Sequence, residues 1–457
     1  MSDEFEDIIG RVCERVEPGQ AEREALESAV ETLVDRARRA VADLPVEADV
    51  VQVGSTARGT WLAGERDIDL FVCFPPTTDR DQLESWGLQV GHEVFPDGHE
   101  EFAEHPYVVG EYDGFDVDLV PCFDVADATE IQSAVDRTPF HTDYVSDRLT
   151  ADLAADVRVG KQFLTGIGVY GSDLRTKGFS GFLTELLVLE YGGFRPLVEA
   201  AADWHPPVYL DPEDHAGNGT PPFDDPLVVI DPTDPDRNVA AVVSATNVAR
   251  LQHFARDLLA DPREDLFRPE ERDPLDAAAV RETFAARATT PVAVRFDAPD
   301  VVEDQLWPQL ERSRSGIGDE LGRRGFDVFR TAAFAADGVA VLLFELAVAE
   351  RPAVERHEGP PVHVREHAER FYDAYEDRDA YGPFVDGQRY VVEREREFTS
   401  AVGFLESDAI FDVALGVHVE SALEDGYDLL VADEVATLAD SFGEQLARYL
   451  APTPRGP

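Results

Sequence analysis

Residues 54–75 read GSTARGTWLAGERDIDLFVCFP, and the alternating acids Asp67 and Asp69 within them decide how the rest of the chain is read. The preceding run Asp49-Val50-Val51-Gln52-Val53 has the composition of a strand, and Gly54-Ser55 breaks it where a helix can begin. Glycine permits close backbone approach, and a helix N-terminus offers unpaired N–H donors to phosphate oxygens. Asp67-Ile68-Asp69-Leu70-Phe71-Val72 alternates acid with apolar residue. With a period of two, both carboxylates leave one face while Ile68 and Leu70 enter a core. Two carboxylates on one face, close to a Gly-Ser turn and the basic residue Arg58, make a candidate Mg²⁺ and triphosphate site.

A second acidic strand follows. Residues 115–121 read FDVDLVP, so Asp116 and Asp118 share a face opposite Phe115, Val117 and Leu119. If this strand lies beside the first, Asp67, Asp69 and Asp118 converge. Phosphoryl transfer assisted by two metals needs such a cluster: one ion acidifies an attacking hydroxyl, and the other binds the triphosphate and its leaving pyrophosphate. A Gly-Ser turn, eleven intervening residues, an Asp-x-Asp strand and a later acidic strand resemble the nucleotidyltransferase superfamily that includes DNA polymerase beta. The chemistry this implies is nucleotidyl transfer.

The chain has 457 residues, enough for about three domains. Its formal net charge is −53, and of 40 basic residues only Lys161 and Lys177 are lysine. Apolar content of 44% separates it from acidic disordered chains. The balance reads as adaptation to molar salt, where the Debye length falls to about 3 Å and self-repulsion is screened. Global charge therefore does not argue against a nucleic-acid partner, and binding would rest on local arginines, hydrogen bonds and shape. Arg36, Arg38 and Arg39, and the pair Arg323-Arg324, are such groups, with solvated helix surface the simpler role for each.

Cys13, Cys73 and Cys122 lack metal-type spacing and are too few for a disulfide framework, so Cys73 and Cys122 read as small buried apolar residues. His363 and His367, four apart, have helical metal-ligand spacing without further ligands and read as surface. The N-terminus carries no targeting signal and no apolar run approaches the ~18 residues that span a bilayer, so a soluble cytoplasmic protein without a membrane partner is expected.

Helical periodicity over 3–43, broken at Pro18-Gly19, places two helices before the acidic strands. Strands near 49–53, 67–74, 106–112 and 115–121 form a small mixed sheet, a palm-like core. Residues 143–200 turn helical, with 182–191 strongly apolar; Lys161 and Lys177 fall here, where a compact ammonium would suit a phosphate. Residues 205–240, rich in Pro, Asp and Gly, read as a long connection, and a helix runs to about 261. Strand 291–297, helix 302–324 and strands 326–334 and 339–348 give a β-α-β-β order of ferredoxin-like or RNA-recognition type, without a clear base-stacking aromatic signature. A mixed stretch at 355–415 and a helix at 431–450 complete the chain.

Several motifs in order make the resemblance more specific. GSTARGTWLAGERDIDLFVCFP, FDVDLVPCF (115–123), DRTPFH (136–141), GVYGSDLRTKGFSGFLTELL (168–187) and DPTDPDRNVAA (231–241) resemble the archaeal, class I CCA-adding tRNA nucleotidyltransferases over nearly the whole chain. The resemblance implies an α+β fold: a polymerase-beta-like head over 1–142, a mostly helical central domain over 143–261, and an RNA-recognition-like C-terminal body with tail over 262–457. It implies that Asp67, Asp69 and Asp118 bind the metals, Asp118 also serving as base or electrostatic partner for the tRNA 3′-hydroxyl. Family members often carry Glu at the position of Asp67. Gly54, Ser55 and Arg58 match the triphosphate-binding turn, His141, Lys161 and Tyr170 match residues that hold the phosphates and sugar, and Arg237 matches a residue that helps read the incoming base together with the tRNA backbone.

The implied activity is template-independent addition of C, C and A to the tRNA 3′ end from CTP and ATP, with Mg²⁺ as cofactor and tRNA as partner; a homodimer is left open. A poly(A) polymerase or oligoadenylate synthase-like enzyme would use the same carboxylates with ATP alone. A non-catalytic RNA-binding protein on this scaffold would not need Asp67, Asp69 and Asp118 intact.

Overall fold

In a computed structural model, residues 2–102, 104–215, 223–378 and 380–455 are described, and the chain divides into two units, Met1–Glu270 and Glu271–Pro457. The elements follow the change of apolar period along the sequence. Helices α1 (Ser2–Val16) and α2 (Gln20–Ala42) flank Pro18-Gly19, and the Glu22 carboxylate accepts the Gly19 N–H at 2.8 Å to start α2. The chain then extends as β1 (Asp49–Val53), makes one turn of helix, α3 (Gly54–Arg58), and returns as β2 (Asp67–Phe74). After α4 (Arg80–Val94) come β3 (His99–Phe102), β4 (Pro106–Tyr112) and β5 (Phe115–Phe123).

These strands form one sheet in the order β1-β2-β5-β4-β3. Only β2 and β5 run parallel, which requires a crossover, and α4 lies in it. Ile68, Leu70 and Val72 of β2 and Val117 and Leu119 of β5 are buried with Leu33 and Ala37 of α2 and Leu83, Val90 and Val94 of α4. The opposite face starts with the acids and continues into a small apolar cluster of Phe71, Cys73, Val120 and Cys122. Cys73 and Cys122 are register partners, free and buried, with sulfurs 3.3 Å apart.

The rest of the first unit is mainly helical: α5 (Arg137–Arg148), α6 (Ala151–Gly166), α7 (Gly181–Tyr191) and α8 (Phe194–Ala202), then short strands and a further helix. Thr150 and Ser180 cap α6 and α7 by accepting the Leu153 and Leu183 N–H groups. Helix α1 precedes the sheet in sequence, yet it buries Phe5, Ile8, Val12 and Val16 with Val157 and Phe163 of α6 and Leu183 and Leu187 of α7. The described residues of the stretch 205–240 hold more regular structure than its Pro, Asp and Gly content predicts. It contains β6 (Val208–Leu210), β7 (Leu227–Asp231) and β8 (Asp234–Asn238), paired in that order, with α9 (Ala245–Ala260) after them. Every residue of β7 is buried, so it shows no alternation to read.

In the second unit α10 (Ala277–Arg287) leads to β9 (Thr290–Asp297), α11 (Glu303–Arg323), β10 (Asp327–Ala336) and β11 (Val339–Val348). Next come β12 (Val354–Pro361), α12 (Arg365–Tyr375), β13 (Ala380–Asp386) and β14 (Arg389–Glu395), which form their own three-stranded sheet. The chain closes with α13 (Ala401–Leu405), α14 (Val417–Asp425), β15 (Asp428–Val431) and α15 (Ala439–Leu450). The main sheet has the all-antiparallel order β10-β11-β9-β15. This is the ferredoxin-like arrangement, with β15 as the fourth strand and the second sheet inserted before it. His363 precedes α12 and His367 lies within it, both exposed, so the pair does not share a helix. Arg323 and Arg324 are engaged by Glu320, and Arg324 also packs over Phe398 and Phe404. Among the described residues no helix is long and apolar enough to cross a membrane.

Helix α4 approaches the sheet through Gly87 and Gly91, whose missing side chains leave room for Pro121 and Val108. A Cβ on Gly91 would stand 2.4 Å from Val108 Cγ2. Gly91→Ala is expected to lower stability by about 1–3 kcal/mol through overpacking, read as the denaturant midpoint in molar KCl. An unchanged midpoint would show that the contact can relax.

Candidate active site

The parallel pairing of β2 with β5 sets Asp67 beside Asp116 and Asp69 beside Asp118. The alternation inferred from sequence therefore holds on both strands, and their acids meet on one face. Burial, then the neighbouring Asp116, raises the Asp67 pKa. Burial and Asp67 raise that of Asp69, against a lowering by Arg58. Asp118 is pushed up to about 6, first by burial and then by Asp69, Glu101 and Asp67. Repulsion among anions that cannot move apart is what a bound cation relieves.

Gly54, in a left-handed conformation (φ 77°), begins α3 directly over this group. A Cβ there would lie 2.0 Å from Asp69 Oδ2, so only glycine lets the turn and the carboxylate approach. Ser55 follows, half-buried in the same turn, and its carbonyl accepts the Thr60 N–H at 3.0 Å. Among the described residues no three His, Cys, Asp or Glu side chains form a complete cation cage. The donor set nevertheless fits a hard divalent ion that is held by one or two carboxylates and completed by substrate phosphates. Asp69 and Asp118, adjacent in register, and Asp67 on the same face are the carboxylates such an ion could draw on.

Arg58, at the end of α3, enters a second group. Its Nε lies 2.9 Å from Glu185 Oε2, and its Nη1 donates to Thr142 Oγ1 at 3.1 Å. Glu185 has no exposed surface. It also accepts the Thr60 hydroxyl and stands 3.8 Å from Lys161 Nζ. Lys161, 1% exposed, donates to the Thr60 carbonyl at 3.0 Å. Burial lowers its pKa, with Glu185 opposing. The ammonium expected to meet phosphate thus points into the protein and holds the chain after the α3 turn. Tyr170 completes the group; a Cβ on Gly181 would lie 3.2 Å from its hydroxyl and 3.6 Å from Lys161 Nζ. Lys177 contributes its carbonyl, which accepts the Ser244 N–H and the Asn247 side chain, each at 2.9 Å.

His141, next to Thr142 on α5, belongs to a third group. It stacks on Phe182 with ring centroids 4.0 Å apart, and its Nε2 lies 2.8 Å from Asp231 Oδ2. Burial lowers its pKa against the pull of Asp231, and the cations Arg237 and Arg58 lower it further. Arg237, on β8, donates to the same Asp231 oxygen at 2.6 Å. The first unit therefore holds every residue that the resemblance assigns to the site: carboxylates under the Gly54 turn, Arg58 with Lys161 and Tyr170, and His141 with Arg237. Thr142 ties the second group to the third.

The sequence reading missed Glu185, Asp231 and Glu101. Glu185 carried a signal, since it is the one charged residue in the mostly apolar run LTELLVL. Asp231 sat in an Asp-Pro turn that gave no hint of burial. Glu101 reaches Asp118 electrostatically only because β3 lies in the same sheet.

Two outcomes follow from this geometry. Glu185→Ala leaves two buried cations unpaired and is expected to cost about 3–5 kcal/mol, measured by thermal unfolding in molar KCl; a loss under 1 kcal/mol would contradict the pairing. Below pH about 6 the folded chain keeps a proton on Asp118 that an ordinary carboxylate has lost. A cation must displace it, so divalent-ion affinity measured by calorimetry with Mn²⁺ should weaken by about tenfold per pH unit below that value and level off above it. A flat profile would remove Asp118 from the ligand set.

Three family models match the chain in order: a nucleotidyltransferase domain over residues 34–141, the second domain of tRNA nucleotidyltransferase over 155–268, and the C-terminal domain of the CCA-adding enzyme over 287–432. The chain is 62% identical to the CCA-adding enzyme of Haloarcula marismortui, over 99% of its own length and all of the relative's. It is 61% identical to that of Halorubrum lacusprofundi over 99% and 100%. The CCA-adding enzyme of Methanoregula boonei is 43% identical over 96% of this chain and 93% of the relative. A solved Cid1 poly(U) polymerase aligns with 59% of the chain at 16% identity and a TM-score of 0.47, covering 100% of that chain. With full-length identity above 60% to proteins of one name and family models that follow one another along the sequence, the chain belongs to the CCA-adding enzyme family, the tRNA nucleotidyltransferases.

Proposed function

We propose that the chain adds C, C and A to the 3′ end of tRNA, taking CMP and AMP from CTP and ATP and releasing pyrophosphate at each step. The observation that carries this reading is the in-register meeting of Asp67, Asp69 and Asp118 beneath a glycine turn in a chain of this family. In each step the tRNA 3′-oxygen forms a bond to the α-phosphorus, and the bond from that phosphorus to the β-phosphate bridge breaks. A pair of Mg²⁺ ions, when bound by these carboxylates, supplies the charge that acidifies the hydroxyl and stabilises the leaving pyrophosphate.

The chain's own residues do the rest. Asp118, the register partner of Asp69, serves as base or electrostatic partner for the tRNA 3′-hydroxyl and takes up its proton or passes it to solvent. Gly54 and Ser55 present the turn to the triphosphate, and Arg58 offers it guanidinium donors. Glu185 fixes the Nε side of Arg58, while Lys161 and Tyr170 support the turn from below. His141 flanks the phosphates, and Arg237 offers a donor fork to the base. N3 of cytosine and N1 of adenine are bare acceptors, whereas the same ring positions of uracil and guanine carry hydrogen, so a donor there favours C and A. Residues 1–142, 143–261 and 262–457 serve as catalytic head, nucleotide-holding centre and tRNA-gripping body, and the enzyme works in the cytoplasm.

The test uses a tRNA lacking its terminal CCA, labelled CTP and ATP, Mg²⁺ and molar KCl, with products resolved to single nucleotides. Growth by three residues in the order C, C, A is expected; tailing with A alone would favour a poly(A) polymerase reading. Asp69→Ala should reduce transfer by roughly 10⁴-fold or more while tRNA affinity stays within about threefold. Substantial residual turnover would remove Asp69 from the metal site.

A further inference from the structure

Asp231 ends β7 with no exposed surface, and both its oxygens are fully engaged. Oδ1 accepts the Thr233 N–H at 2.9 Å and its hydroxyl at 2.8 Å. Oδ2 accepts Arg237 Nη1 at 2.6 Å and lies 2.8 Å from His141 Nε2. Four partners fill the acceptor capacity of a carboxylate. Asp231 therefore has nothing left with which to touch a nucleotide, and what it can do is hold other groups in place.

The two groups on Oδ2 come from different elements, His141 from α5 and Arg237 from β8. His141 is fixed on its ring face by Phe182. Arg237 is 39% exposed at its side chain and is held at Nη1 alone among the described residues, so its other N–H groups form an edge that can only donate. Such an edge discriminates between ring nitrogens only if its direction is fixed within hydrogen-bond tolerance, about 0.5 Å. A guanidinium on a long flexible stem does not fix itself.

We propose that Asp231 is a positioning residue for nucleotide selection: it clamps Arg237 so that the donor edge meets the Watson–Crick ring nitrogen of C or A, and through the same oxygen it ties that edge to His141. This deepens the reading of the site as one for CCA addition and rests on it. Although burial opposes ionisation, His141, the Thr233 N–H and Arg237 hold the Asp231 carboxyl well below the usual carboxylate range, so the clamp stays charged across the working pH.

The neighbouring carboxylate provides a control. Asp234, the register partner of Asp231 in the same hairpin, holds Arg137 at 2.8 Å. The experiment compares kcat/KM for CTP and UTP at the first added position on full-length wild type, Asp231→Asn and Asp234→Asn, together with thermal unfolding. Asp231→Asn should narrow the CTP-to-UTP preference by tenfold or more, and Asp234→Asn should leave it within twofold of wild type. If Asp231→Asn slows both nucleotides in proportion and keeps their ratio, Asp231 is only part of the scaffold and the proposal fails. If Asp231→Asn does not fold, Asp231→Glu decides, since it keeps the charge but moves the carboxylate by one methylene: an unchanged ratio there overturns the proposal, and a narrowed one at an unchanged unfolding temperature supports it. Wild type that adds no C, C, A at all would instead sink the reading of the reaction.

Discussion

The parallel, in-register pairing of β2 with β5 is the constraint on which the site depends. It places Asp67, Asp69, Asp116 and Asp118 on one face in two adjacent pairs, an arrangement that like-charge repulsion opposes. What enforces it is the other face. Ile68, Leu70, Val117 and Leu119 are buried in a core with α2 and α4, and a slip of one residue would turn these side chains outward and drive the acids into the core. Hydrophobic burial on one side of the sheet thus sustains electrostatic tension on the other. Burial first, and then this repulsion, raises the pKa of all three proposed metal ligands.

Around the carboxylates, the first unit repeats one device: a buried anion that organises cations from distant parts of the chain. Glu185 gathers Arg58 and Lys161, and Asp231 gathers His141 and Arg237. The second unit has its own version, in which fully buried Glu345 receives Arg287 Nε at 2.6 Å, Arg330 Nη2 at 3.2 Å and the Tyr449 hydroxyl at 3.1 Å. In molar salt, exposed ion pairs are screened over about 3 Å, while buried ones are much less affected. A chain with a formal net charge of −53 keeps its working ion pairs least screened where they are buried. Nearly all its cations are arginines, whose forks suit these carboxylates; Lys161 is retained where a compact ammonium fits beneath the Thr60 carbonyl.

Much of the fold was legible. Period-two alternation marked β2 and β5, strand-like composition marked β1, and helical periodicity broken at Pro18-Gly19 marked α1 and α2, because these patterns are local. The β-α-β-β order of the second unit was equally visible, but its fourth strand, β15, joins the sheet after a long insertion. Strand β7 and the hairpin it forms were not legible, since a fully buried strand among Pro, Asp and Gly residues has neither alternation nor strand-like flanks.

The sequence by itself determined that two acidic strands and a glycine turn exist, which residue types they carry, and, through resemblance, which chemistry they suit. Tertiary structure alone decided the register that brings Asp69 beside Asp118, the packing of α1 on α6 rather than on the sheet that follows it, the inward course of Lys161, and the burial of Glu185 and Asp231. The division has a physical cause. Alternation and capping are set by interactions between residues a few positions apart, whereas the partners of a buried charge are chosen by which distant segments can share a desolvated space, and no short stretch of sequence contains that information.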